Sequence, residues 1–344
     1  MDNNDSSGKS STTSDVCSSQ SVKEESREQP KPPFVGFGIL CCILASIFYL
    51  LSALVVKFVK SVGVMEVVLA RCWVQFMLML PYVFYNWTNK GVDFIGDLKT
   101  LVLFWMRAFT GLCATFLFYQ SLLYLPLGDA ITLAFLSVTF SQLLGCLFLH
   151  ERSSLLDYLL SVFIICGVVL IAKPPFLFNQ SETYSSDKLI GIILVVAHSF
   201  LAAGMYILIR KLSTSSHGSL NVFYYGFVGL IVVPIFSKTM GVFQLPCSSD
   251  LIFLLLVGLL GGLGQVLLTI GLVYETAATF AMLDSFQIVF GFVFQIVVLD
   301  EPLSYLSLGG AFLVLISIMG MTAQKVCQEN INQSSNRFKC LFQH

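Results

Sequence analysis

Three ionisable side chains stand inside otherwise apolar stretches: Arg71 in EVVLARCWVQF, Arg107 in LVLFWMRAFTGL and Asp284 in TFAMLDSFQIVF. A charge held away from water is costly, so it faces the interior of a helix bundle, a water-filled cavity or a partner. A guanidinium can clamp a carboxylate or phosphate through two parallel hydrogen bonds, which makes Arg71 and Arg107 candidates for binding such a group. The competing reading has the two arginines reach toward headgroups, or hold helices together through Glu66 and Asp284. Gln75, Tyr119 and Gln265 are further candidates for contact with a substrate and equally suit hydrogen bonds between helices. His198 reads either as a hydrogen-bonded packing residue or as a proton relay.

Catalytic chemistry has no comparable support. The sequence holds no P-loop, GxGxxG or HExxH pattern and no Ser-His-Asp set. Its ten cysteines include no CxxC pair, and no Cys/His group has ligand spacing. Cys41, Cys42, Cys72, Cys113, Cys146 and Cys166 lie in apolar stretches, where a free thiol behaves as a small apolar group. No catalytic residue, metal site or cofactor is therefore expected, and the chain does not read as an enzyme. A net charge of −1 points to no nucleic-acid partner.

The elements that must position these residues are long. Ten apolar segments run over 34–56, 65–87, 101–124, 130–149, 155–172, 189–209, 220–237, 251–273, 277–299 and 304–323. A helix crossing a bilayer needs about 20 mainly apolar residues at 1.5 Å rise each. Charged residues are 11% of the chain, against about 25% in soluble domains. A soluble core would not come in ten blocks of bilayer length. The first 33 residues are Ser-rich and charged and read as disordered. The stretch after Gln324 reads as a polar tail.

An even number of crossings puts both tails on one side. Lys9, Lys23, Arg27, Lys31, Lys325, Arg337 and Lys339 sit in the tails, whereas the loops are balanced at five Lys/Arg on each side. The positive-inside rule then places the tails in the cytoplasm. On that topology Arg71 lies about 9 Å below the outer face, and Arg107 and Asp284 lie about 9 and 11 Å from the inner face. The last two share a level, and an ion pair between them is expected.

The chain also repeats. An offset of 150 pairs Gly111 with Gly261, Tyr124 with Tyr274, Leu149 with Leu299 and Glu151 with Glu301. An offset of 153 pairs Gly38 with Gly191, Ser46 with Ser199 and Lys57 with Arg210. Each unit holds five crossings, so the second enters the membrane from the opposite side. Inverted repeats of this kind place a midplane site that either face reaches in turn, which is the geometry of a carrier. Gly258 and Gly262 form a GxxxG, read as close helix packing or as a gliding surface between repeats. Glu151 and Glu301 read as capping or interface residues.

These residues resemble a known family. EVVLARCWVQF, MRAFTGL, FYQSLLYLPLGDA and the HE-x-x-x-x-x-D exit of the fourth segment are similar to the EamA-type fold of the drug/metabolite transporter superfamily. Within it the chain resembles solute carrier family 35, most of all its G subgroup. The resemblance implies an all-α membrane protein: ten transmembrane helices as two inverted five-helix EamA repeats, over 34–173 and 189–324, joined by a loop at 174–188 and followed by a tail at 325–344. It also implies transport of a small metabolite. One departure is Val138, where the family often carries a proline that kinks the helix.

The expected function is transport of a small organic metabolite, with an organic anion as the candidate cargo, by alternating access. The rival reading is a non-transporting membrane adaptor that keeps the carrier fold. The implied partners are a small-molecule substrate and the lipid bilayer, with a homodimer as a further option. The plasma membrane and the endoplasmic reticulum or Golgi fit equally well.

Overall fold

The computed structural model describes residues 36–59, 61–90, 98–149, 154–173, 186–213, 218–239, 248–275 and 277–341. The expectations for the first tail, for Glu151 and for most of the 174–188 loop lie outside these residues. Twelve helices and no strand are present among the described residues. They are α1 (Phe37–Val56), α2 (Val64–Lys90), α3 (Leu98–Ser121), α4 (Leu127–Ala134), α5 (Leu136–Leu149) and α6 (Leu155–Ala172) in the first half. The second half holds α7 (Ser186–Ser213), α8 (Gly218–Thr239), α9 (Ser248–Tyr274), α10 (Ala277–Asp284), α11 (Phe286–Val297) and α12 (Tyr305–Leu341). The pairs α4/α5 and α10/α11 each form one crossing, giving ten helical spans long and apolar enough to cross a bilayer. The tail read as polar continues the last span as helix to Leu341, since no Pro or Gly follows Gly320 to end it.

Packing follows the repeat. α1 lies along α9, and its counterpart α7 lies along α3. α2 packs between α8 and α9, while α8 packs between α2 and α3. α6 pairs with α12. Gly38 and Gly191, equivalent in sequence, make equivalent approaches at opposite ends of the bundle. A Cβ on Gly38 would lie 2.8 Å from the Cβ of Tyr274, and one on Gly191 would lie 2.9 Å from that of Tyr124. Tyr274 and Tyr124 are themselves repeat partners, so glycine is kept where α1 meets the end of α9 and where α7 meets the end of α3.

The fourth and ninth spans are both broken near mid-length. Neither break holds Pro or Gly; the interruptions fall at Phe135 and Ser285, which are 150 residues apart. The backbone tightens identically at both, with Val138 N–H donating to Phe135 C=O (3.0 Å) and Ile288 N–H to Ser285 C=O (3.1 Å). Interrupted helices leave backbone groups that need partners inside the bundle. At the first break the Ser199 hydroxyl lies 3.4 Å from Leu133 C=O and 3.3 Å from Ala134 C=O, besides 2.8 Å from Val195 C=O in its own helix. A bend at this point therefore survives the replacement of proline by Val138.

The two broken spans are not arranged symmetrically. Their halves at one end, α4 and α11, pack directly on each other, with Gly128 against Phe292 and Gly291 against Ile131. Their repeat counterparts α10 and α5 make no comparable contact among the described residues. The bundle is thus closed at the end that holds Lys57, Leu127 and Glu301, and spread at the end that holds Gly38 and Tyr274.

Candidate functional site

Both arginines are inside. Arg71, on α2, is buried, and its Nη1 donates to the Tyr119 hydroxyl at 2.6 Å. That hydroxyl lies 3.1 Å from Ser52 Oγ, which donates to Val257 C=O at 3.2 Å. The proton order is therefore fixed from Arg71 through Tyr119 and Ser52 to the backbone of α9. The guanidinium carbon also stands 5.9 Å from the ring centre of Tyr49 and 5.7 Å from that of Tyr119. Gly261 makes room for it, because a Cβ there would lie 2.9 Å from Arg71 Nε.

Arg107, on α3, is 1% exposed. Its Nη1 donates to Asn221 C=O on α8 at 3.1 Å, and its guanidinium stands 5.6 Å from the Tyr225 ring centre. Tyr225 in turn donates to Thr115 Oγ1 at 2.9 Å. Neither arginine forms an ion pair with an acidic side chain among the described residues, and the Nε of each is buried without a hydrogen-bond acceptor. Glu66 accepts from Ser237 at 3.5 Å, and among the described residues neither arginine forms an ion pair with Glu66 or Asp284.

The expected pair of Arg107 with Asp284 is not formed. Asp284 Oδ1 instead accepts from Ser46 Oγ at 2.8 Å and from Gln287 Nε2. The shared depth inferred from helix rise placed both residues at one level, but each turns to its own partners: Arg107 to Asn221 C=O on α8, and Asp284 to Ser46 on α1 and Gln287 on α11. Tyr206 on α7 is 37% exposed, and Asp284, Gln265, Phe118 and His198 are half-buried. Tyr49 on α1, one turn after Ser46, stands 5.9 Å from the Arg71 guanidinium.

The remaining candidates divide. Gln75 is fully buried, donating from Nε2 to Val222 C=O at 3.0 Å and leaving Oε1 without a partner. Gln265 accepts from the Tyr49 hydroxyl at 3.1 Å, so it joins the tyrosine cage. His198 Nδ1 lies 2.8 Å from Ala114 C=O, which fixes its proton on that nitrogen, and its ring sits 5.1 Å from that of Phe118. That is the packing role, with Nε2 left as its second polar atom.

Sequence reasoning passed over Tyr49, Tyr225, Ser46, Ser52, Tyr206 and Asn221. The signal was present for two of them: Ser46 and Tyr49 lie one turn apart on α1, and Ser46 has a repeat partner in Ser199. Asn221 contributes a backbone carbonyl, which no side-chain pattern reports.

The closed end is held by polar contacts across the two halves. Lys57 Nζ lies 2.7 Å from Glu301 Oε1 and 2.7 Å from Leu125 C=O, and Glu301 Oε2 accepts from Leu127 N–H at 3.2 Å. Gln295 joins the same contact by accepting from Gly128 N–H (3.0 Å) and donating to Pro302 C=O (3.1 Å). Asp300, at φ 51°, turns the chain after α11 so that Glu301 reaches back to α4. Beside these contacts lies a recess of about 620 Å³ lined by Asp129, Lys173, Lys188, Ser304 and Ser307.

Known proteins resemble this chain. The pattern of the EamA-like transporter family matches residues 36–173 and 189–323. Solute carrier family 35 member G1 of Mus musculus is 32% identical over 319 residues, covering 91% of this chain and 84% of that protein. The human member G1 is 31% identical over 323 residues, 92% of this chain and 86% of that protein. The pseudopaline exporter CntI of Pseudomonas aeruginosa is 28% identical over 291 residues, 84% of this chain and 96% of that protein. A solved crystal structure with 12% identity shares the fold at a TM-score of 0.61, over 83% of this chain and 96% of that one. The chain belongs to the EamA-like transporter family, as an integral membrane protein of ten spans.

Proposed function

We propose that this protein carries a small organic anion across its membrane by alternating access. The observation that carries the reading is the pair of buried guanidiniums, Arg71 and Arg107, without a carboxylate partner among the described residues. Each such charge in a transmembrane segment costs about 2.5–3.5 kcal/mol on insertion scales. A cation over a tyrosine ring returns about 0.5–2 kcal/mol. The aromatic contacts offset part of the cost, and a bound carboxylate or phosphate would supply the rest. A carrier uses such a deficit; a scaffold gains nothing from it.

Alternating access is supported by the contrast between the two ends. Lys57, Glu301 and Gln295 hold the halves together at one end, while the α10 and α5 halves stand apart at the other. With the tails in the cytoplasm, the end that these contacts hold together would face outward. Rocking one half against the other would exchange the two ends.

The test is uptake into liposomes that contain the purified protein, screened over organic anions, amino acids and nucleotide sugars. Saturable uptake of an organic anion, weakened in both Arg71→Ala and Arg107→Ala, is the expected result. Uptake confined to neutral or cationic solutes would refute the anionic cargo.

A further inference from the structure

We propose that Asp284 is the residue at which this carrier couples its anion to a proton, so that the two cross in the same direction. The proposal rests on the anionic cargo argued above and goes beyond it by naming a coupled ion and its site.

The repeat shows that the fold does not call for a carboxylate here. Asp284 ends α10 at the second break, and its partner in the first repeat, at an offset of 150, is Ala134 at the end of α4. The serine facing each break is retained: Ser199 beside Ala134 C=O, Ser46 beside the Asp284 carboxylate. A methyl group serves in one half, and a charge that is expensive inside a membrane stands in the other. Such a residue marks function more often than architecture.

Its surroundings suit reversible protonation. The donors to its carboxylate, Ser46 and Gln287, are neutral, and among the described residues no Lys, Arg or His lies within ion-pair distance. The titratable groups facing it are Cys42 and Tyr49 from α1 and Tyr206 from α7. Glu275, just past α9, acts on Cys42 rather than directly on Asp284. α12 packs on α10 but carries no charged side chain before Lys325, and α11 offers Gln287. Asp284 is half-buried rather than sealed, and protons would reach it from the spread end.

The coupling follows from charge. Ser46, a donor to Asp284, lies one turn before Tyr49 on α1, and the Tyr49 ring centre stands 5.9 Å from the Arg71 guanidinium, so an anion held by Arg71 would lie near a second negative group. Like charges in low dielectric cannot both stay ionised at little cost, and a proton on Asp284 removes the repulsion. The proton adds to a carboxylate oxygen from one aqueous side and leaves to the other. No covalent bond in the cargo changes. By linkage, a bound anion favours the proton and a bound proton favours the anion by the same factor.

The experiment uses full-length protein in liposomes loaded with the pH dye pyranine, with radiolabelled succinate and glycerol phosphate as probes. An acid-outside gradient is expected to speed uptake about fivefold or more, with acidification of the interior. Asp284→Asn and Asp284→Ala, at wild-type folded yield, should lose both the response to pH and the acidification. Asp284→Glu, which restores a titrating carboxylate, should regain both. Wild-type anion uptake indifferent to the gradient would overturn the proposal, as would a gradient response that survives in Asp284→Asn. Either result leaves the anionic cargo standing. Uptake of neither probe, alongside uptake of neutral solutes, would instead remove the anionic cargo and the coupling with it.

Discussion

Ser46 and Ser199 occupy equivalent points of the two repeats, and each touches the broken helix of the opposite half. Ser199 Oγ lies 3.3 Å from Ala134 C=O, and Ser46 Oγ donates to the Asp284 carboxylate at 2.8 Å. The same serine on the same face of α7 and α1 therefore meets a backbone group in one half and a side chain in the other. The contact with backbone is structural, because a break in a transmembrane helix needs its carbonyls satisfied.

This asymmetry separates two variants. Ser199→Ala removes a fully buried hydroxyl and should cost about 0.6 kcal/mol, up to about 1.7, read as a lower melting temperature in detergent. Asp284→Ala copies what the first repeat already carries and also removes a charge from the interior. Its folded yield should equal or exceed that of the wild type. A collapse of folded yield in Asp284→Ala, with Ser199→Ala unaffected, would show that the two breaks are not equivalent.

Arg107 and Asp284 should act independently on folding, since each has its own neutral partners in Asn221 and in Ser46 with Gln287. Residues that share no hydrogen-bond partner usually add within about 0.3–0.5 kcal/mol. The melting-temperature changes of Arg107→Gln and Asp284→Asn, whatever their sign, are therefore expected to sum in the double variant. Recovery in the double variant would reveal an ion pair formed in another state of the bundle.

Much of this fold was legible because membrane crossings write their length into the sequence. Residues such as Gly38, Gly191, Ser46 and Ser199 kept the repeat visible against an apolar background in which most identities arise by chance. The break at Phe135 was not legible. The expected proline is absent, and the bend rests on Ser199 in another helix. The candidate site was half legible for a related reason. Arg71, Arg107 and Asp284 stand out in apolar segments, but whether two of them meet depends on rotation about each helix axis, which their apolar neighbours in sequence do not report.

The span of glycines on α9 should separate packing from binding. A Cβ on Gly258 would lie 2.8 Å from the Cβ of Val74 and 3.1 Å from Ala70 C=O, so neither neighbour can yield easily. Gly258→Leu is expected to reduce folded yield severely, measured by size-exclusion chromatography. A Cβ on Gly261 meets Arg71 Nε at 2.9 Å, the far part of a flexible side chain. Gly261→Ala should therefore fold, while moving the guanidinium off Tyr119 and weakening anion uptake about 10-fold, the worth of about 1.4 kcal/mol. Equal losses of yield in both variants would assign Gly261 to packing alone.

Lys57 and Glu301 should bias which end of the bundle is open. Their ion pair crosses between the halves with side chains only 12% and 25% exposed, where solvent screens it less than at an open surface. Glu301 also accepts from Leu127 N–H, so Glu301→Gln retains part of the contact, whereas Lys57→Met removes the cation and its bond to Leu125 C=O. Weakening the closed end by about 1–3 kcal/mol would shift the balance of the two states by about 5–150-fold. The readout is the labelling of an introduced Asp129→Cys by a membrane-impermeant maleimide, since Asp129 is buried beside this contact at the closed end. Labelling is expected to rise in Lys57→Met and, less strongly, in Glu301→Gln. It should fall back in the swapped pair Lys57→Glu with Glu301→Lys, which restores the attraction without the original residues. Labelling that stays at the parental level in Lys57→Met would mean that Gln295 and the α4–α11 packing close this end without help from the charges.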